Sequence, residues 1–244
     1  MAVFESWTDS IGFHNADSLT VVSRYDEEFA LRKGYQQGSR LLTIENPLPE
    51  DWVGQTIQKR DNEFCIGFVG SWLDRKGVST LIDVIMALAD MEIECTWVIA
   101  GVGQEGKREL DQLQQALGQI RLEVYERVSR EELKNLYQKM TVFLCLSTYE
   151  SFGMVCSEAM ACGCILLSTE VGFAHGLKDG LEFVSAEDCN AHQVAARLYQ
   201  IEQDKRRYKQ IGSCGFERVQ QLSWTKAIDT LEGHYEMLMS TATN

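Results

Sequence analysis

Proline is scarce in this chain. It has two in 244 residues, Pro47 and Pro49, which stand almost together in "ENPLPEDW". That scarcity excludes a polyproline or low-complexity architecture, and the pair marks one stiffened spot that neither a helix nor a central strand crosses. With the polar "GQTIQKRDNE" that follows, residues 47–63 read as a linker. Basic side chains are also in deficit: 23 Lys and Arg against 36 Asp and Glu leave a formal net charge of −13. A protein built to grip nucleic acid or an anionic bilayer needs positive patches to neutralise phosphate, so neither partner is expected. No run of 18 apolar residues exists, and "MAVFESWTDS" lacks the basic start and apolar run of a secretory signal. A cytoplasmic location is expected, with peripheral membrane association left open. Paired cysteines are missing too: Cys65, Cys95, Cys145, Cys156, Cys162, Cys164, Cys189 and Cys214 form no C-x-x-C. Several sit in strand-like apolar runs, and buried reduced thiols are the expectation.

What is present alternates. "FCIGFVG", "CTWVIAG", "RLEVYERV", "VFLCLST", "CILLST" and "LEFVSA" read as strands. Between them, "VSTLIDVIMALADM", "GKRELDQLQQAL", "SREELKNLYQKM" and "FGMVCSEAMACG" have helical spacing. Strand, helix, strand, helix implies a parallel sheet, and runs such as "TWVIA" lack in/out alternation, as strands covered on both faces do. The fold class is α/β, a doubly wound Rossmann-like parallel sheet over residues 64–220, whose ligands belong where strand carboxyl ends meet helix starts. Residues 1–46 contain "ADSLTVVSRYDEEFALRKGYQQGSRLLTIEN", a strand, helix, strand unit too small to stand alone. Residues 221–244 close the chain with a helix carrying Trp224, Ile228, Leu231, Tyr235 and Leu238 on one stripe, expected to dock on an apolar surface.

Three loops could carry chemistry. "GVGQEG" (Gly101 to Gly106) matches G-x-G-x-x-G between strand and helix, with Glu123 and Glu126 some 20 residues on, as a dinucleotide site asks; the match is weak, because it follows the second strand rather than the first and turn glycines at such a corner are common. "GSWLDRKG" (Gly70 to Gly77) is no P-loop, because no G-K-[ST] exists. The third, "STYESFGMVCSEAMACG" (Ser147 to Gly163), places Glu150 and Glu158 around a helix start. With Ser151 as N-cap and the helix beginning near Phe152, the amides of Gly153, Met154 and Val155 lack helical partners and suit a phosphate. The carboxylates then lie ~9 Å apart along the helix axis. That is too far for a retaining-glycosidase pair, which needs ~5 Å. It suits one glutamate for a hexose and one for a ribose, with the diphosphate between; the alternative is a dipole-favoured Glu150 and a solvated Glu158.

These stretches, with "WVIAGVGQEG", the run "VSREELKNLYQKMTVFLCLSTYESFGMVCSEAMACGCILLST" and the closing "LSWTKAIDTLEGHYEML", resemble the retaining GT-B glycosyltransferases of family 4, the group 1 family. The resemblance runs from about Asp61 to the end; "ADSLTVVS" and "LTIENPLPEDW" look, more loosely, like the last part of that family's N-terminal domain and its linker. It implies hexosyl transfer from a nucleotide diphosphate sugar with retention, without metal or other cofactor. The acceptor is unknown and could be a sugar, a lipid-linked or a small molecule. The alternative is a non-catalytic or split nucleotide-sugar-binding module whose acceptor domain comes from a partner chain. Carried over residue by residue, Glu150 would contact donor-sugar hydroxyls and Glu158 the ribose. Phe152, Gly153, Met154 and Val155 would line the sugar and diphosphate, and Lys76, helped by Arg75, would meet the leaving diphosphate. Gly70 and Gly101 would line the cleft, and Arg127 and Val128 would face the base. Ser71 stands where the family usually has Arg, and "VGFAHGLKDG" lacks the acid of the family's G-G-x-x-E, departures that weaken donor binding or mark a donor subclass. The family's acceptor-side histidine has no evident counterpart, since His14, His175, His192 and His234 read as surface or packing residues.

Overall fold

The computed structural model describes residues 12–35, 40–54, 56, 63–117 and 120–242. Six parallel strands form the main sheet: β3 (Cys65–Val69), β4 (Thr96–Ala100), β5 (Arg121–Tyr125), β6 (Val142–Cys145), β7 (Ile165–Ser168) and β8 (Val184–Ser185). Their spatial order is β5-β4-β3-β6-β7-β8, so the chain winds outward from β3 to one edge, returns beside β3 as β6, and winds to the other edge. Neighbouring strands that lead in opposite directions open a crevice at their carboxyl ends, here between β3 and β6.

Both faces of the sheet are apolar because both are covered. Ile66 and Phe68, Trp97 and Ile99, Val142 and Leu144, and Ile165 and Leu167 pack toward α2 (Val78–Asp90), α3 (Gly103–Leu117) and α6 (Ala191–Gln203). Cys65, Val98, Ala100, Phe143, Cys145 and Leu166 pack on the other side, where α4 (Arg130–Lys139) and α5 (Met154–Ala161) lie and α7 (Lys205–Val219) adds Val219. The two-residue side-chain period is therefore kept, with hydrophobic residues at both phases, which is why the sequence showed no alternation. Helices α6 and α7 had no counterpart in the sequence reading; Asn190 and Gln193 form a reciprocal capping box at the first, and Asp204 caps the second.

A smaller parallel pair, β1 (Leu19–Val21) and β2 (Leu41–Thr43), is joined by α1 (Arg24–Lys33), the expected strand, helix, strand. Ser23 caps α1 through the Asp26 amide at 3.2 Å, and Gly34 in the left-handed region (φ 67°) ends it. The two-proline stretch is held to the six-stranded unit: Leu48 and Trp52 are fully buried, Trp52 stacks edge-on against Tyr137 at 5.9 Å, and the Leu48 amide donates to the Leu222 carbonyl at 2.8 Å. Much of the polar stretch after it lies outside the described residues. All eight cysteines are free, five of them buried.

The closing helix α8 (Trp224–Ala242) returns to the smaller unit, where the buried His234 ring lies 2.6 Å from the Ser18 hydroxyl. The stripe expected to dock needs correction. Ala227, Leu231, His234 and Leu238 face inward, whereas Trp224, Ile228 and Tyr235 are 52%, 47% and 56% exposed and Met239 is 64% exposed. At 100° per residue the two stripes are neighbours sharing Leu231 and Leu238, and the polar His234 anchor selects the less apolar one. Among the described residues no helix is long and apolar enough to cross a membrane.

Candidate active site

The loops after β3 and β6 meet at the crevice, and backbone contacts fix them to each other. The first loop closes with a 3-10 turn, Asp74–Lys76, and then Gly77 at φ 75°. A Cβ on Gly77 would stand 2.2 Å from the Leu146 carbonyl oxygen, so only glycine lets this loop lie on the end of β6. Two residues further along, the Thr148 amide donates to the Arg75 carbonyl at 2.9 Å. These contacts bring Lys76 and Glu150 together: Lys76 Nζ lies 2.5 Å from Glu150 Oε1, with the side chains only 15% and 10% exposed. The Ser147 hydroxyl donates to the same Oε1 at 2.7 Å and is itself buried. A carboxylate removed from water is costly unless its charge is paired and its lone pairs are filled, and here one oxygen takes both donors.

The helix start differs from the expectation. Ser151 is not the N-cap and the helix does not begin near Phe152; it begins at Met154, with Gly153 at φ 83° as the cap residue. Phe152 is buried against Phe173 at 5.2 Å and its carbonyl accepts from the Phe173 amide at 2.7 Å, which holds it out of helical geometry. The exposed Ser151 hydroxyl sits 2.9 Å from the Tyr149 hydroxyl instead. The amides of Gly153, Met154 and Val155 still open the first turn, where helical N–H groups have no intrahelical acceptor. Met154 and Val155 are half-buried, and a Cβ on Gly153 would stand 3.5 Å from Glu150 Cγ.

Glu158, one turn further in, is half-buried beneath α4. Tyr137, fully buried, points its hydroxyl at Glu158 Oε2 at 3.3 Å. Burial pushes the Glu158 carboxyl above its ordinary 4.5, opposed by the Tyr137 hydrogen bond and the Arg130 charge. The same burial and the nearby Glu158 charge push the Tyr137 phenol far up, so it stays a donor. The Cys145 thiol donates to the Ser147 hydroxyl at 3.7 Å; the neighbouring Cys156 sulfur and Ser147 hold Cys145 below its ordinary value against the effect of burial, while the Cys145 sulfur and burial raise Cys156.

The remaining candidates stand on the loops that follow β3, β4 and β5. Gly70 and Gly101 touch across the ends of β3 and β4: a Cβ on Gly101 would meet Gly70 backbone atoms at 3.4 to 3.6 Å. Ser71 and Arg75 are exposed on the first loop, and Arg127 and Val128 follow β5, the former exposed and the latter packed against the core. The G-x-G-x-x-G match has a structural explanation. Gly101 and Gly103 take positive φ, and Gly106 makes room for Trp72, whose indole N–H donates to Glu109 at 2.7 Å. Glu123 is engaged by Arg121 at 2.9 Å. Sequence reading passed over Ser147, Tyr137 and Gly172; the last, at φ 55°, lets the loop after β7 back onto Phe152 and Glu150.

Residues 54–218 match the glycosyl transferases group 1 family. The chain belongs to that family. It is 26% identical over 226 residues to an uncharacterized glycosyltransferase of Methanocaldococcus jannaschii, covering 92% of this chain and 60% of that protein. It is 26% identical over 254 residues to the alpha-maltose-1-phosphate synthase of Mycolicibacterium smegmatis, covering 93% and 65%. The chain thus spans about three-fifths of the length of these curated relatives. Its fold matches about half of a single-residue mutant of S. aureus TarM, solved in complex with fondaparinux, alpha-GlcNAc-glycerol and UDP, at a TM-score of 0.78 and 15% identity over 96% of this chain and 48% of TarM. The six-stranded unit is the Rossmann-like half of a GT-B glycosyltransferase.

Proposed function

We propose that this group 1 glycosyltransferase moves a hexosyl group from a nucleoside diphosphate sugar to an acceptor hydroxyl, with retention at the anomeric carbon. The observation that carries the reading is the buried Lys76–Glu150 pair set beside the helix start at Gly153, in the crevice between β3 and β6. As the bond from the anomeric carbon to the diphosphate breaks, its electron pair goes to the leaving phosphate oxygen, and the acceptor oxygen bonds to that carbon and passes its proton to that phosphate oxygen. Lys76 and the first-turn amides are preorganised donors for the negative charge that develops. Glu150 Oε2 is left to accept from hexose hydroxyls, and Glu158 is spaced one helical turn on to accept from the ribose. Arg75 and Ser71 flank the diphosphate, Gly70 and Gly101 admit it closely, and Arg127 and Val128 face the base. The chemistry calls on no metal. The UDP in the TarM complex supports a nucleotide donor of this class.

A second reading has its own observation. The exposed face of Trp224, Ile228, Tyr235 and Met239 suits a donor-binding module whose acceptor side is completed by another polypeptide.

The deciding experiment is calorimetric titration of the chain with UDP, GDP and ADP and their glucose conjugates in EDTA. Binding of one nucleotide is expected, with Glu158→Ala weakening it by roughly 10-fold or more, the scale of lost hydrogen bonds to a charged group. Lys76→Ala is expected to slow transfer by about 100-fold or more, as removal of one preorganised donor does. Absence of binding by all three nucleotides would overturn the reading, and transfer by the isolated chain would overturn the second one.

A further inference from the structure

We infer that Glu150 is a release device for the spent nucleotide: by holding Lys76, it keeps the bare nucleoside diphosphate weakly bound while leaving the sugar conjugate unpenalised. The inference rests on the reading above, that the crevice takes a nucleoside diphosphate sugar.

The geometry pins one member of the pair, and the chemistry of the other lets it change acceptors. Glu150 is pinned by Ser147 at 2.7 Å, and a loop passes so close that a Cβ on Gly172 would sit 3.0 Å from Glu150 Cβ. Lys76 is a point charge on a four-carbon stem with three donors, able to swing between acceptors. Its carboxylate partner and any diphosphate at the Gly153 helix start compete for the same ammonium.

A hexose in place changes that competition. Its hydroxyls donate to the Glu150 carboxylate, which then no longer depends on Lys76, and the ammonium can turn to the diphosphate. Once the hexose has been transferred, the carboxylate loses those donors. A carboxylate 10% exposed recovers only part of them from bulk water and draws the ammonium back. The diphosphate loses its cation at the moment it becomes product. Without this pairing, a lysine and a helix start facing a diphosphate would bind product tightly and slow turnover.

The test compares wild type, Glu150→Gln, Lys76→Met and the double variant by calorimetry, using whichever of UDP, GDP or ADP the wild-type chain binds, with and without its glucose. Glutamine keeps the volume, and its amide oxygen still accepts from Ser147, so the loop stays in place while only a neutral acceptor is left to hold Lys76. Glu150→Gln is expected to bind the bare diphosphate on the order of 10-fold tighter, the factor that one charge-assisted hydrogen bond is worth, with no gain for the conjugate. In the Lys76→Met background the gain should fall below about 3-fold, which is what relief of direct charge repulsion in a partly wet site supplies. Ser147→Ala should act in the opposite direction, because a carboxylate with one donor fewer leans harder on Lys76. Unchanged or weaker diphosphate binding by Glu150→Gln would overturn the inference, as would an equal gain in the Lys76→Met background. Failure of wild type to bind any nucleotide would instead overturn the functional reading, and this inference with it.

Discussion

Glu150 and Glu158 are the same functional group eight positions apart, and their surroundings give them different electrostatics. Glu150 has its charge met by Lys76, whereas Glu158 has a phenol at 3.3 Å and pays for its burial. Because the folded Glu158 carboxyl titrates above 4.5, its protonated form stabilises the fold below that pH, and the benefit disappears as pH rises through the raised value. A thermal series should therefore find wild type gaining on Glu158→Gln as pH falls below neutral. On the proposed reading, in which the ionised carboxylate accepts from the ribose, nucleotide binding should weaken over the same descent in wild type and stay flatter in Glu158→Gln. The two glutamates and their spacing were legible in the sequence, although the helix start alone left a solvated pair open and the resemblance to the family gave them their roles. Their partners were not: Lys76 reaches Glu150 across 74 positions and Tyr137 reaches Glu158 across 21, and only the winding of the sheet brings them together.

At the scale of elements, the alternating strands and helices of the six-stranded unit were readable because buried parallel strands are nearly unbroken apolar runs. Two features were read wrongly for local reasons. The start of α5 was placed at Ser151 because serine is a common cap, while the long-range contact of Phe152 with Phe173 delays the helix to Met154. On α8 the most apolar stripe was chosen, while a polar histidine decides which stripe faces in. Glycines of the second loop give a direct test. Gly106→Ala would put a Cβ 2.7 Å from the Trp72 ring and 2.8 Å from Val102 Cβ. Overpacking of that kind should cost about 1–3 kcal/mol in denaturant unfolding. Helix α1 offers another. Burial raises Asp26 to about 6, even at a helix start where a carboxylate is usually favoured. Asp26→Asn should raise the melting temperature at pH 7, and the difference should fade as the pH drops from about 6 toward 3.8, where wild type no longer has to carry the charge.

For the whole molecule, the chain crosses between its two sheets twice, out through the Leu48 stretch and back through α8. The crossings are tied by the Leu48 to Leu222 hydrogen bond at 2.8 Å and by the Arg218 to Glu45 pair at 2.5 Å. The smaller unit is further held by His234 on Ser18 and by His175, whose ring lies 3.0 Å from Glu28. His234→Ala should then speed amide exchange in Leu19–Val21 while protection in the strands of the main sheet stays as in wild type, since local opening follows the contacts that close a unit. Loss of protection throughout the main sheet would show that α8 supports the entire molecule instead. None of these ties could be seen in the sequence, where a histidine in a helix and a serine before a strand look unrelated.

The backbone bond from Thr148 to Arg75, with Gly77 pressed on Leu146, bears on how new donor preferences could be engineered into this scaffold. Residues 70–77 and 146–155 are one cassette in two pieces. A chimera that imports either piece alone would bring a foreign loop against a native one, and would lose affinity for the old donor without acquiring a new one. Exchanged together, the two pieces carry their own register with them and can be moved between related sheets as a unit.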